Sequence, residues 1–176
     1  MRGYKMKLAL FAFLILASFN CTAKTIEQVR SAFIFQMSKF IEFSKPIGDG
    51  VSFCFFDKDN GPAQLLSNHS NLISQGKPII VHLLEKISAT AELNQQCNII
   101  YLDELSYSKV DADWLTKIDS NIVIIGEDIR FIEQGGLAAL IKEGNKIKLY
   151  INKEKLNNSD LKIGSRLLAL AKFYPE

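Results

Sequence analysis

Five short apolar runs, at 51–56, 78–84, 97–102, 121–126 and 146–152, punctuate this chain, with amphipathic segments between them. The first four are nearly continuous in β-branched, aromatic and leucine side chains, the composition of strands covered on both faces. The fifth sets Ile147, Leu149 and Ile151 against Lys146, Lys148 and Tyr150. That alternation predicts an edge or half-exposed antiparallel strand. Helical patterns fall near 62–73, 85–94, 111–118 and 129–134. Strand and helix in alternation predict an α/β fold: an open, mostly parallel sheet with helices on both faces, flavodoxin- or Rossmann-like. No internal repeat or low-complexity linker divides the chain, so residues 24–176 are expected to form a single domain.

Residues 1–23 have a different character. Arg2, Lys5 and Lys7 precede an uncharged apolar run at 8–19. Such a run rises roughly 18 Å as a helix, well short of a bilayer core of about 30 Å. Position, length and basic flank predict a secretory signal peptide cut after Ala23. A lipid anchor on Cys21 is the weaker reading, because Phe19 and Asn20 are not the small residues that such processing prefers. Cleavage removes three basic and no acidic residues and takes the formal charge from +2 to −1. No polybasic cluster remains, so nucleic-acid binding loses its electrostatic footprint.

Two cysteines, Cys54 and Cys97, remain after cleavage. In an oxidising compartment an even pair reads as a disulfide; two separate buried thiols are the alternative. If the bond forms, the first and third strands must be neighbours, because its Cα atoms lie within about 7 Å. That is a flavodoxin-like order. Zinc binding is poorly supported, since the two Cys and two His (His69, His82) lack paired short spacings.

Catalytic chemistry finds little to build on. Gly135-Gly136 is an isolated pair that suits a helix stop better than a nucleotide loop. His69 lies in a polar segment and His82 within an apolar run, and both read as structural. No catalytic residue and no cofactor is expected, and the chain is read as a non-enzyme. One constellation points to a ligand. Asp57, Asp103-Glu104 and Glu127-Asp128 each follow an apolar run, at the carboxyl edge where open α/β sheets hold ligands. Clustered carboxylates there suit a hard cation or an amine, with Asp57, Asp103 and Asp128 as the candidate residues. Capping of the following helices is the competing role, as for Asp59 or Asn60 before Gly61-Pro62.

Both ends of the domain read as helical. Ser159 can cap a last helix carrying Ile163, Leu167, Leu170, Ala171 and Tyr174. Near the other end Ile26, Val29, Phe33, Met37 and Phe40 form an apolar stripe, with Ile34 and Ile41 on one flank and Ala32 and Phe43 on the other. Phe35 falls about 180° from the stripe's centre. It is either buried under another element or open to a partner, so Phe35, Lys39 and Phe43 are the candidate partner-contact residues.

The stretch VRSAFIFQMSKFIEF at 29–43, followed by Pro46, resembles the opening of the YfiR-like periplasmic proteins, with their AFL-x-x-F-x-K-F-x-x-W-P pattern. Gly135-Gly136, the strand NKIKLYIN at 145–152 and the segment LKIGSRLLALA at 161–171 resemble that family's closing motifs, the last of the form L-x-I-S-S-x-L-L-x-L-A. Cys54 and Cys97 also fall where the family often carries cysteines. Phe43 replaces the family's preferred Trp, Gln36 a frequent Asn and Gly164 a frequent Ser.

The resemblance implies a periplasmic regulator that binds the periplasmic sensor region of a membrane-bound diguanylate cyclase and represses it, controlling cyclic-di-GMP signalling. It implies release on a signal, with envelope redox stress one trigger. A homodimer fits the same picture. The alternative is a periplasmic small-ligand binding module that uses the carboxyl edge of the sheet.

Overall fold

A computed structural model describes residues 24–43, 48–56, 61–69, 71–85, 87, 90–111 and 113–175. The expected leader, Cys21, Asp57, Asp59 and Asn60 lie outside the described residues. In chain order the elements are α1 (Ile26–Phe40), β1 (Ile41–Glu42), β2 (Val51–Phe55), α2 (Pro62–Ser67), β3 (Ile73–Ser74) and β4 (Lys77–Leu83). Then come α3 (Thr90–Gln96), β5 (Ile99–Tyr101), α4 (Glu104–Tyr107), α5 (Trp114–Lys117), β6 (Val123–Gly126) and α6 (Ile129–Glu133). The last are β7 (Ala138–Glu143), β8 (Lys146–Asn152), α7 (Lys153–Asn157), β9 (Lys162–Ile163), α8 (Ser165–Leu168) and β10 (Ala171–Tyr174).

An eight-stranded sheet runs β10-β8-β7-β6-β5-β2-β4-β3. Its stretch β4-β2-β5-β6-β7 is parallel throughout and follows the flavodoxin-like order. β2 stands next to β5, the placement that the cysteine pair requires. The mostly parallel α/β sheet expected from the alternation is therefore the observed fold.

Alternation of side chains divides the core in two. Phe53, Phe55, Ile99, Tyr101, Val123 and Ile125 face one way, against α1 and α2. Cys54, Ile100 and Ile124 face the other, against Leu93, Trp114, Leu115 and Phe131. Successive residues of β2, β5 and β6 thus serve opposite layers, and an apolar residue is needed at nearly every position. Cys54 and Cys97 are joined in the second layer with Cα atoms 5.9 Å apart. Cys54 is wholly buried and Cys97 5% exposed. Solvent-borne reagents therefore reach neither sulfur readily.

Several expectations need correction. The last strand-like run, 146–152, does pair antiparallel, with β7, but it is not an edge, because β10 lies parallel on its other side. β7 escaped the pattern because AALIKE reads as helix-forming by composition. The signal for it is Gly144-Asn145, with Gly144 at φ 58°, a tight connection between two paired runs. The long C-terminal helix is absent. Ser159 bonds back to Leu156 O instead of opening a helix, and the stripe splits into β9, the single turn of α8 and β10. Long-range pairing decides this: β9 meets β1 at Ile41–Ile163, Gly164 N donates to Phe40 O at 2.7 Å, and β10 satisfies the open side of β8.

β4 is also less covered than a run of that composition suggests, with Ile80 37% and Leu83 42% exposed near the sheet margin. The helices are shorter than their periodic segments, and α2 takes Gly61 as N-cap with Pro62 at its first position. The Gly135-Gly136 pair does stop a helix. Gly135 at φ 95° follows α6, and its amide and that of Gly136 return to Ile132 O and Phe131 O in a Schellman arrangement.

The buried face of α1 is rotated from the expected stripe. Ser31, Ile34, Met37 and Ser38 are buried, whereas Val29, Phe33 and Phe40 are half-buried. Two serines hide inside because their hydroxyls are satisfied. Ser31 Oγ donates to Pro62 O at 3.0 Å, and Ser38 Oγ meets Ser74 Oγ at 2.8 Å. Hydrophobic periodicity is blind to such positions.

Two outcomes test this packing. Replacing Cys54 and Cys97 together by alanine should lower stability by about 2–4 kcal/mol, because the bond closes a loop of 43 residues; urea denaturation measures it. A Cβ at Gly136 would meet the Phe131 ring at 2.1 Å. Gly136→Ala should therefore cost about 1–3 kcal/mol, and Phe131→Leu in the same chain should make the added cost of the alanine smaller.

Candidate functional site

The carboxyl ends of β2, β5 and β6 frame a crevice, since the strand order reverses between β2 and β5. α1 runs across this edge. A reciprocal capping box fixes its start: Thr25 Oγ1 accepts from Gln28 N at 3.2 Å, and Gln28 Oε1 accepts from Thr25 N at 3.0 Å. Glu27 and Arg30 in its first turns then meet Glu127, the first residue after β6. Arg30 Nη1 lies 3.2 Å from Glu27 Oε1 and 3.1 Å from Glu127 Oε1. The Tyr101 hydroxyl, at the end of β5, donates to the same Glu127 oxygen.

The Arg30 and Glu127 side chains are each 11% exposed, and that of Glu27 is 34% exposed. Burial pushes the Glu127 carboxyl up from its usual range, against the opposing pull of the Tyr101 hydroxyl and the Arg30 charge. Burial also raises the Tyr101 phenol well above its usual value, and the Glu127 charge adds to this. Above the cluster lies a cavity of about 270 Å³, walled by Phe55, Phe56 and Tyr101 and by the charged groups. The Phe55 and Tyr101 rings pack tilted at 50° to one another, with centroids 5.8 Å apart. The site therefore sets a largely desolvated ion-pair network beside buried aromatic rings.

The acids expected at this edge have other work. Asp103 caps α4, accepting from Ser106 N at 2.7 Å, and also borders the cavity. Asp128 caps α6, accepting from Phe131 N at 2.9 Å, and pairs with Arg130 at 2.7 Å. Asp57 lies outside the described residues. Glu127, beside Asp128 in sequence, is the carboxylate turned into the network. Arg30, Glu27 and Tyr101 carry no motif that marks them in the sequence. The i, i+3 spacing of Glu27 and Arg30 was visible, but it reads as an ordinary surface pair.

The expected partner-contact residues are placed differently from one another. Phe35 and Phe43 are half-buried against the main core, and Lys39 is exposed with its Nζ 4.1 Å from the Phe35 ring centre. The other flank of α1 borders an apolar groove of about 420 Å³ against α8, lined by Val29, Phe33, Phe40, Leu167 and Leu170. Leu170 is 67% exposed. His69 Nδ1 lies 2.6 Å from Leu65 O one turn earlier, and His82 Nε2 lies 3.3 Å from Ser52 Oγ on the neighbouring strand β2. Among the described residues no helix is long and apolar enough to cross a membrane.

Residues 27–172 match the model of a family described as YfiR/HmsC-like. No curated protein matches. Among solved structures, the crystal structure of a conserved domain protein from Vibrio cholerae O1 biovar El Tor str. N16961 is similar at 14% identity and a TM-score of 0.51. The alignment covers 70% of this chain and 54% of that one, so the chain spans about half the length of that protein. At this identity the likeness is one of fold.

Arg30→Met should cost about 2 kcal/mol or more, because it leaves Glu127 buried without its cation. Arg30→Met with Glu127→Gln should recover most of that loss in a denaturation cycle. Tyr101 should be slow to ionise in an ultraviolet phenolate titration, and Tyr101→Phe should remove a late step. Because the folded state holds this proton, the stability Tyr101 lends is full below about pH 10 and is lost as pH rises through its higher folded-state value.

Proposed function

Because the chain belongs to the YfiR/HmsC-like family, we propose that it is a periplasmic regulator. In this reading it binds the periplasmic sensor region of a membrane-bound diguanylate cyclase and holds the enzyme inactive. The observation that carries the proposal is the family match, which spans residues 27–172 and so takes in nearly all of α1, the sheet as far as β8, and the start of β10. The mechanism is a differential-affinity switch: the regulator binds the inactive conformation of the cyclase better than the active one.

Export with cleavage after Ala23, giving a mature domain from residue 24, belongs to the same proposal. The disulfide supports it, since such bonds persist in oxidising compartments. The partner surface is assigned to the exposed flanks of α1. One carries Lys39 above Phe35, with Phe43 beyond it; the other carries the groove toward Leu170. Both suit recognition by shape and apolar contact. A homodimer through the same helix is a further part of this reading. The burial of Cys54 and Cys97 favours a structural bond over a redox sensor.

The test is to express the chain with and without a cyclase that carries its periplasmic region, and to measure cellular cyclic-di-GMP. Lower levels with the chain present support repression; equal levels sink it. Lys39→Glu and Leu170→Asp, both at exposed positions, should each change stability by no more than about 0.5 kcal/mol. At least one of them should weaken capture of the cyclase's periplasmic region. If both bind like the parent chain, α1 is not the contact surface.

A further inference from the structure

The two margins of the eight-stranded sheet are built differently. β10 closes one of them with 4 residues that include Lys172 and are followed by Pro175, features that keep an edge from pairing with another chain. At the other margin β3 shields only the start of β4, through Ile73–Pro78 and Ser74–Lys77. The run IIVHLL that continues from Ile79 to Leu84 contains no Lys, Arg, Asp, Glu or Pro. Ile73, Ile80 and Leu83, at 59%, 37% and 42% exposed, leave large apolar side chains open along this margin.

Backbone alternation fixes which groups of β4 face outward. Leu84 N donates inward to Phe55 O at 2.8 Å, so Ile80 and His82 also turn their amides toward β2. Ile79 N donates outward to Leu72 O at 3.1 Å, so Val81 and Leu83 share its outward direction. Leu72 ends the cover. Among the described residues the N–H and C=O of Val81 and Leu83 have no hydrogen-bond partner. Such an edge is a template for a further strand.

We propose that a second copy of this chain occupies the edge, its β4 antiparallel to the first about a two-fold axis at His82. Val81 of each copy then stands opposite Leu83 of the other, and every outward N–H meets an outward C=O. An axis at Val81 would set Leu83 against Ile79, whose amide Leu72 already takes. An axis at Leu83 would set Val81 against Glu85, beyond the strand. The contact covers Ile80 and Leu83. Lys77 and Glu85 flank the run with opposite signs, so the antiparallel arrangement brings unlike charges toward each end and a parallel one would bring like charges. An edge dimer and a dimer through α1 are alternatives, since both together would chain the copies into an open assembly. The edge contact does not rest on the repressor reading, which cellular cyclic-di-GMP tests and self-association does not.

Sedimentation equilibrium of the purified chain over a concentration series tests the edge dimer. The parent chain should show a reversible monomer–dimer equilibrium. Leu83→Lys and Leu83→Glu should each keep the parent's circular dichroism and weaken the dimer by about tenfold or more, because the two-fold axis brings like charges within side-chain reach. An equimolar mixture of the two variants should recover the dimer, since the charges are then unlike. Val81→Pro removes an N–H that the monomer does not use and should weaken the dimer in the same direction. The proposal fails if the parent is monomeric throughout, if the folded edge variants associate like the parent, or if the mixture recovers nothing. It also fails if Lys39→Glu abolishes the dimer while the edge variants keep it, a result that puts the contact on α1.

Discussion

Burial of the central sheet on both faces is the constraint from which the rest of the structure follows. β2, β5 and β6 send alternate side chains into two separate apolar layers, so each strand needs cover above and below. α1 and α2 provide one cover, and α3, α5 and α6 with the Cys54–Cys97 bond provide the other. The bond ties Cys97, two residues before β5, to Cys54 within β2, the two strands between which the order reverses.

The same geometry explains why charge collects at one place. α1 must lie across the sheet to cover Phe53, Phe55 and Val123, and its first turns then overhang the strand ends. Any charged residue there is carried into a partly dry environment. Glu27, Arg30 and Glu127 answer with a shared ion pair, and Tyr101 completes it with a hydroxyl. Buried ion pairs of this kind are weak evidence for stability, since desolvation offsets much of the attraction. Their value lies in a fixed, polarised lining for the cavity.

α1 shows how far sequence periodicity reaches. Its apolar residues go almost all the way round, and the expected stripe of Ile26, Val29, Phe33, Met37 and Phe40 is offset from the face that is buried. Ser31 and Ser38 take core positions because backbone and hydroxyl acceptors await them across the interface. Phe33 and Phe40 are left beside the groove as a result. The acids at the edge show the same limit: Asp103 and Asp128 had the right position, but helix caps claimed them. Glu127 was left to meet Arg30.

What the sequence determined by itself was the class of fold and its central order. Four apolar runs with helices between them require a doubly covered parallel sheet, and two cysteines bound into one bridge require β2 and β5 to be neighbours. Local pattern also showed Gly135-Gly136 as a stop and 146–152 as an antiparallel strand. Tertiary structure alone decided the far side of the sheet, where β7 overrides helix-forming composition and β10 overrides a helical stripe. Unpaired backbone groups on β6 and β8 gain hydrogen bonds from those segments, a preference no local window contains. It decided the cavity as well, because Glu27, Arg30, Tyr101 and Glu127 come from three distant segments and meet only when the helix crosses the strand ends.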